Sequence, residues 1–124
     1  MPESLKIAPF LDRAESALII DVRSESEYKH AHIPGAINIP ILNNEHRKLV
    51  GTVYKQEGRE AAIARGFELV GPLFGDFYKK IVSTAGEKKP LFYCWRGGMR
   101  SQISASVLEW GGYRTTVLQG GYKA

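Results

Sequence analysis

The sequence predicts an α/β fold, a central parallel five-stranded sheet with helices on both faces. Three observations predict it. Residues 18–22 (LIIDV) and 91–93 (LFY) are short apolar runs without polar alternation, the pattern of strands covered on both sides. Segments with apolar residues at helical spacing separate the runs, and that alternation builds parallel crossovers. Pro34-Gly35, Gly111-Gly112 and Gly120-Gly121 punctuate the chain at the turns such an order needs. The 124 residues suffice for one domain with a real core, and no repeat, low-complexity segment or linker divides them.

Residues 1–17 read as a lead-in, with residues 5–11 an edge strand or turn and residues 12–16 polar. Residues 18–22 are the first clear strand. Asp21 and Arg23 lie at its C-terminal end, the edge where open α/β sheets bind ligands, and are candidate supporting residues. Ser24, Glu25 and Glu27 form a helix start, with a hydroxyl cap and early acids, and residues 28–32 complete that helix. Arg23 is expected to pair with Glu27, and His32 to bond backbone in the turn. Pro34-Gly35 leads to a second strand over residues 36–41.

Residues 43–67 are long and basic. Asn43 or Asn44 caps a helix running to about residue 53, Gly58 breaks it, and residues 60–65 resume it. Arg47, Lys48, Lys55, Arg59 and Arg65 give either a solvated helical face or a site, with Lys55 and Arg59 as its candidates. Residues 70–84 are a helix that points Leu73, Phe74, Phe77, Ile81 and Val82 at the sheet. Pro90 opens the strand leading to Cys94. Residues 101–110 are a helix with Ile103, Val107, Leu108 and Trp110 toward the core, and residues 115–118 are the last strand.

Cys94 is the single cysteine, and its neighbours point to chemistry. Gly97 and Gly98 allow the loop to curl with N–H groups inward. The helix behind adds unpaired N–H groups and the positive end of its dipole. Arg100 adds a fork suited to an oxyanion. Such a cradle favours the thiolate, the nucleophilic form. Trp95, Arg96, Gly97, Gly98 and Met99 are expected to supply backbone donors, Arg100 to clamp the anion, and Ser101 to cap the helix and bond the sulfur. Arg96 is also a candidate contact to phosphate or RNA. The alternative is a buried structural cysteine.

One cysteine forms no internal disulfide, which fits a reducing compartment. A net charge of +4 and a pI near 9.3 tolerate an anionic partner such as RNA without requiring one. No stretch approaches a membrane span and no signal pattern opens the chain, so a soluble, cytoplasmic protein is expected, with no membrane and no DNA partner. His30, His32 and Cys94 are too scattered for a metal site, and no metal or tightly bound cofactor is expected.

The C-x5-R-S pattern of Cys94, Arg100 and Ser101 after a strand resembles two groups: rhodanese-like sulfurtransferases, and cysteine-dependent phosphatases with arsenate reductases. The usual rhodanese loop is one residue shorter. The segment DVRSESEYKHAHIPGAINIP, residues 21–40, resembles the N-terminal signature of rhodanese domains. Taken with GTVYKQEGREAA, YCWRGGMRS and LQGGYKA, the chain from about Ile20 onward is similar to the N-terminal rhodanese domain of bacterial tRNA 2-selenouridine synthases.

That resemblance implies a rhodanese-like fold and a role in replacing sulfur by selenium in wobble 2-thiouridine of tRNA, through a geranylated intermediate. Selenophosphate and geranyl diphosphate are the implied substrates, and Cys94 is the position of the family's essential cysteine. Family members continue into a second domain with a P-loop. This sequence stops at Ala124 without a G-x4-G-K-[ST] motif, so an excised domain or a split enzyme is expected. The P-loop domain, in cis or as a separate chain, is then a partner beside tRNA. The other readings are a phosphatase, arsenate reductase or thiosulfate-type sulfurtransferase on the same loop, and a non-catalytic module docking tRNA or a partner through residues 47–65.

Overall fold

A computed structural model of the chain describes residues 2–96 and 98–123. Two apolar strands, β2 (Ala17–Asp21) and β4 (Lys89–Tyr93), lie side by side at its centre, with Ile19 opposite Leu91 and Ile20 opposite Phe92. Around them β1 (Glu3–Leu5), β3 (Ile37–Asn38) and β5 (Thr116–Leu118) complete a parallel five-stranded sheet in the order β1-β5-β4-β2-β3. The two ends of the chain meet at one edge, where Glu3 pairs with Thr116 and Leu5 with Leu118.

Successive strand residues point to opposite faces, and both faces are apolar. Ile20, Phe92 and Val117 enter one cluster, closed by Val70 from helix α4 (Arg59–Val70), Phe77 and Ile81 from α5 (Phe74–Ala85), and Ala105 and Leu108 from α6 (Met99–Trp110). Ile19, Leu91, Tyr93 and Leu118 enter the other, closed by Phe10 from α1 (Ile7–Arg13) and flanked by Tyr28 from α2 (Glu25–His30). Each of these large side chains contributes about 1.5–3 kcal/mol when fully buried. The expected two-faced parallel sheet is therefore the architecture found.

Local signals behave as expected at several ends. Ser24 and Glu27 form a capping box on α2, and Asn43 accepts from the His46 N–H to cap α3 (Asn44–Glu57). Gly58 separates α3 from α4 at φ 94°, a backbone region that side chains avoid. His32 bonds the Tyr28 carbonyl at 2.7 Å.

Four expectations need correction. Residues 7–13 are helix, and the edge strand is only Glu3–Leu5. Ile7 and Phe10 lie three apart and reach the same face, while Pro9 falls in the first turn, where its missing N–H is harmless. The strand expected over 36–41 pairs as β3 only at Ile37–Asn38. The Ile39 and Ile41 amides still bond Asp21 and Val22, but Pro40 has no N–H to give. Leu73 is part-exposed because Gly71–Leu73 form a 3-10 turn between α4 and α5. Trp110 is 78% exposed. It lies two residues, about 200° around the helix, from buried Leu108 and faces away from the core.

Candidate active site beside Cys94

From β2 the chain leaves through α2 on one face to β3; from β4 it leaves through α6 on the opposite face to β5. The ends of β2 and β4 are neighbours, Asp21 opposite Tyr93. The two departures open a crevice between them, the topological switch point where α/β sheets hold ligands. Cys94 follows β4 directly at that edge of the sheet, just ahead of the N-terminus of α6, and packs within the hydrophobic cluster on the α6 face.

The thiol is covered: Cys94 is 2% exposed. Its Sγ lies 3.2 Å from Ser101 Oγ and 4.0 Å from the Gly98 carbonyl, and the Ser101 hydroxyl also lies 3.2 Å from that carbonyl. A hydroxyl has one hydrogen. It serves the Gly98 carbonyl while the sulfur is a thiol, and it can turn to the sulfur when a thiolate forms. Ser101 thus lies within hydrogen-bond distance of the sulfur but does not cap the helix. It sits within the first turn of α6, and Gly98 is the N-cap. Among the described residues it is this hydroxyl and a carbonyl that meet the sulfur. Gly97 lies outside the described residues. Trp95, Arg96 and Met99 are exposed on the loop.

Arg100 is paired with Glu27. Its Nη1 and Nη2 donate to Glu27 Oε1 and Oε2 at 2.6 and 3.3 Å. Arg47 approaches the same carboxylate at 3.3 Å. Burial pushes the Glu27 carboxyl up, but Arg100, the Ser24 N–H and Arg47 outweigh it and hold the group at about 2. One carboxylate between two guanidiniums leaves one net positive charge at the loop.

Arg23 does not pair with Glu27. It forms a forked pair with Asp21, Nη2 to Oδ2 at 2.8 Å and Nε to Oδ1 at 3.1 Å, and donates to the Ala31 carbonyl at 2.7 Å. Tyr93 donates its hydroxyl to Asp21 at 2.6 Å and accepts the Ile33 N–H at 3.1 Å. Burial, then the bond to Asp21, pushes the Tyr93 hydroxyl well above its ordinary range. Burial alone would lower the Arg23 guanidinium, but Asp21 reverses this and raises it. Asp21 and Arg23 are therefore a satisfied buried pair that locks the α2 connection to the central strands. Above them the Tyr122 ring lies 4.5 Å from the guanidinium carbon, and the Tyr122 amide donates to the Cys94 carbonyl at 2.7 Å.

Beyond Arg100 lies a cleft of about 880 Å³ under the α3–α4 hairpin. Its walls are mainly apolar, including Ile41, Val50, Ile63, Phe67 and Ile103, with Met99 at the start of α6. Arg47, Lys48, Lys55, Arg59 and Arg100 add cations to the lining. The expected Lys55 and Arg59 are thus joined to Arg100 by one cavity, although Arg59 itself is exposed and its acid neighbour is Glu60 at 4.0 Å. Glu27 was read from sequence only as part of a helix start and a partner for Arg23, and the apolar floor and Tyr122 were not singled out. Of those two, only Tyr122, two residues past Gly120 in a turn-rich end, carried a local signal. Among the described residues no helix is long and apolar enough to cross a membrane.

The rhodanese-like domain model matches residues 8–124. The tRNA 2-selenouridine synthase of Bdellovibrio bacteriovorus is 43% identical over 110 residues, 86% of this chain. The enzyme of that name from Nitrosomonas europaea is 43% identical over 107 residues, 85% of this chain. The chain spans about 28% of the length of both relatives. Among solved structures, the N-terminal domain of a Clostridium difficile 630 protein named for ATP/GTP binding superposes with a TM-score of 0.89 at 37% identity, covering 98% of this chain and 94% of that one.

Proposed function

Because the chain belongs to the rhodanese-like domain family, we propose that it is the chalcogen-handling domain of a tRNA-modifying enzyme that converts wobble 2-thiouridine to 2-selenouridine, with Cys94 as nucleophile. The observation that carries this reading is the placement of the one thiol: at the sheet's switch point, ahead of a helix N-terminus, with the Ser101 hydroxyl at 3.2 Å. Relatives named tRNA 2-selenouridine synthase, matching 85–86% of the chain, support the tRNA-modifying role.

Selenophosphate is the donor in this reading. The trio of Arg100, Glu27 and Arg47 supplies net positive charge for it, and Arg100 exchanges part of its bond to Glu27 for the oxyanion. The loop must also part enough to admit the donor to a covered thiol. Geranyl diphosphate suits the neighbouring cleft, which sets an apolar floor for a prenyl chain beside cations for its diphosphate. The small share of the relatives' length, together with the ATP/GTP-binding name of the Clostridium difficile protein, supports a nucleotide-binding P-loop domain as working partner. A lone thiol and a tRNA substrate fit the cytoplasm.

The test uses the complete enzyme, selenophosphate and tRNA carrying 2-thiouridine, with nucleosides measured by mass spectrometry. Cys94→Ser is expected to abolish selenouridine. A Cys94→Ala enzyme that still makes it overturns the assignment. Ile63→Glu, which puts a charge into the cleft wall, is expected to remove the geranylated nucleoside, whereas Ile63→Leu retains it.

A further inference from the structure

Tyr93, Tyr122 and Trp95 form a ladder of rings that climbs from the core to the surface next to the reactive sulfur. Tyr93 is fully buried. Tyr122 stacks on it at 6.1 Å between centroids and 28° between planes, and Trp95 stacks on Tyr122 at 6.1 Å and 27°. These are offset-stack geometries. The ladder is rooted by the Arg23 guanidinium, 4.5 Å from the centre of the Tyr122 ring and itself fixed by Asp21 and Ala31. It is tied to the nucleophile by the Tyr122 amide bonded to the Cys94 carbonyl.

Trp95, the residue after Cys94, ends the ladder and remains 40% exposed. An indole leaning on one neighbour and open to solvent costs apolar exposure without filling the core. Its orientation relative to the sulfur is nevertheless fixed by the rings beneath it. A rigid aromatic with such a surface is what proteins use to hold an unstacked base, and the interaction tolerates any base because each has a π-face.

We propose that Trp95 is the platform on which an unpaired nucleobase of the RNA substrate stacks, setting the distance from that base to Cys94. The inference rests on the tRNA-modifying reading and adds to it a residue and a contact. The contact is apolar and carries no charge, so it should contribute affinity without contributing to salt dependence. Phosphate contacts by arginine or lysine behave oppositely.

The experiment measures binding of the complete enzyme to two RNA hairpins, one with 2-thiouridine in its loop and one abasic at that position, across a salt series. Wild type is expected to bind the intact hairpin about tenfold more tightly than the abasic one, toward the lower end of the usual range for one base stacked on an aromatic ring. Trp95→Ala should bind the intact hairpin about tenfold more weakly than wild type, lose the discrimination, and keep the salt slope. Trp95→Phe should restore most of both. Wild-type discrimination that persists in Trp95→Ala overturns the platform and leaves the tRNA reading standing. Wild type that binds neither hairpin takes both down. A variant that fails to fold would also lose salt-dependent binding to the abasic hairpin, which a lost stacking contact leaves unchanged.

Discussion

Glu27→Gln should separate stability from anion binding and move them in opposite directions. Glutamine keeps the shape and an acceptor for the Ser24 N–H, so what is lost is charge. The two bonds to Arg100, at 2.6 and 3.3 Å, are charge-assisted and together contribute about 2 kcal/mol. The half-exposed Arg47 adds about 0.5 kcal/mol. The carboxyl's fall from 4.5 to about 2 gives a second route to the same quantity, about 3 kcal/mol at roughly 1.4 kcal/mol per pH unit. The urea midpoint at pH 7 should therefore drop by about 1–2 M, for a slope of about 1–3 kcal/mol per M. The sign with pH follows from a depressed folded-state value. The stabilisation is present above the unfolded value of 4.5 and is lost as pH falls toward 2, so the two proteins should converge there. Removing the anion beside Arg100 and Arg47 should raise affinity for inorganic phosphate about tenfold, the effect of one charge at roughly 10 Å and an effective dielectric of about 20. Urea titrations from pH 2 to 7 and calorimetric phosphate titrations read both. Equal stabilities at pH 7, or a gap unchanged at pH 2, would refute the reasoning.

Three further outcomes are expected. Tyr93→Phe leaves the buried Ile33 N–H unpaired and takes a donor from Asp21, so chemical denaturation should show a loss of about 2–4 kcal/mol. Gly58→Ala forces a side chain to φ 94° where no neighbouring atom lies within 4 Å, so the cost, about 1–3 kcal/mol by the same method, is backbone strain alone. Ser101→Ala removes the hydroxyl at 3.2 Å from the sulfur, and iodoacetamide should alkylate Cys94 about tenfold more slowly at fixed pH, the loss of one charge-assisted bond. Unchanged alkylation would show that the hydroxyl stays on the Gly98 carbonyl.

The central strands and the cysteine loop were legible because their signals are local: an apolar run, glycines, then helical spacing. The ion pairs were not. Arg23 has acids at both Asp21 and Glu27, and helical spacing favours Glu27. Arg23 instead continues the extended chain, where residues two apart share a side, so Asp21 takes it. Glu27 is then free for Arg100, 73 residues away, a pairing no local pattern carries. The cleft floor draws on Ile41, Ile63 and Ile103, which only the fold assembles. Helix α1 spans seven residues, too short for its period to stand out from an edge strand.

Strand β1 finds its partner in β5, and the Gln119 amide bonds the Leu5 carbonyl. Within this domain β1 can therefore pair only after β5 has been made. Tyr122, which holds the Cys94 carbonyl, follows β5 in the chain. The backbone of the thiol residue thus gains this hold only once the Gly121–Lys123 turn has docked beside it.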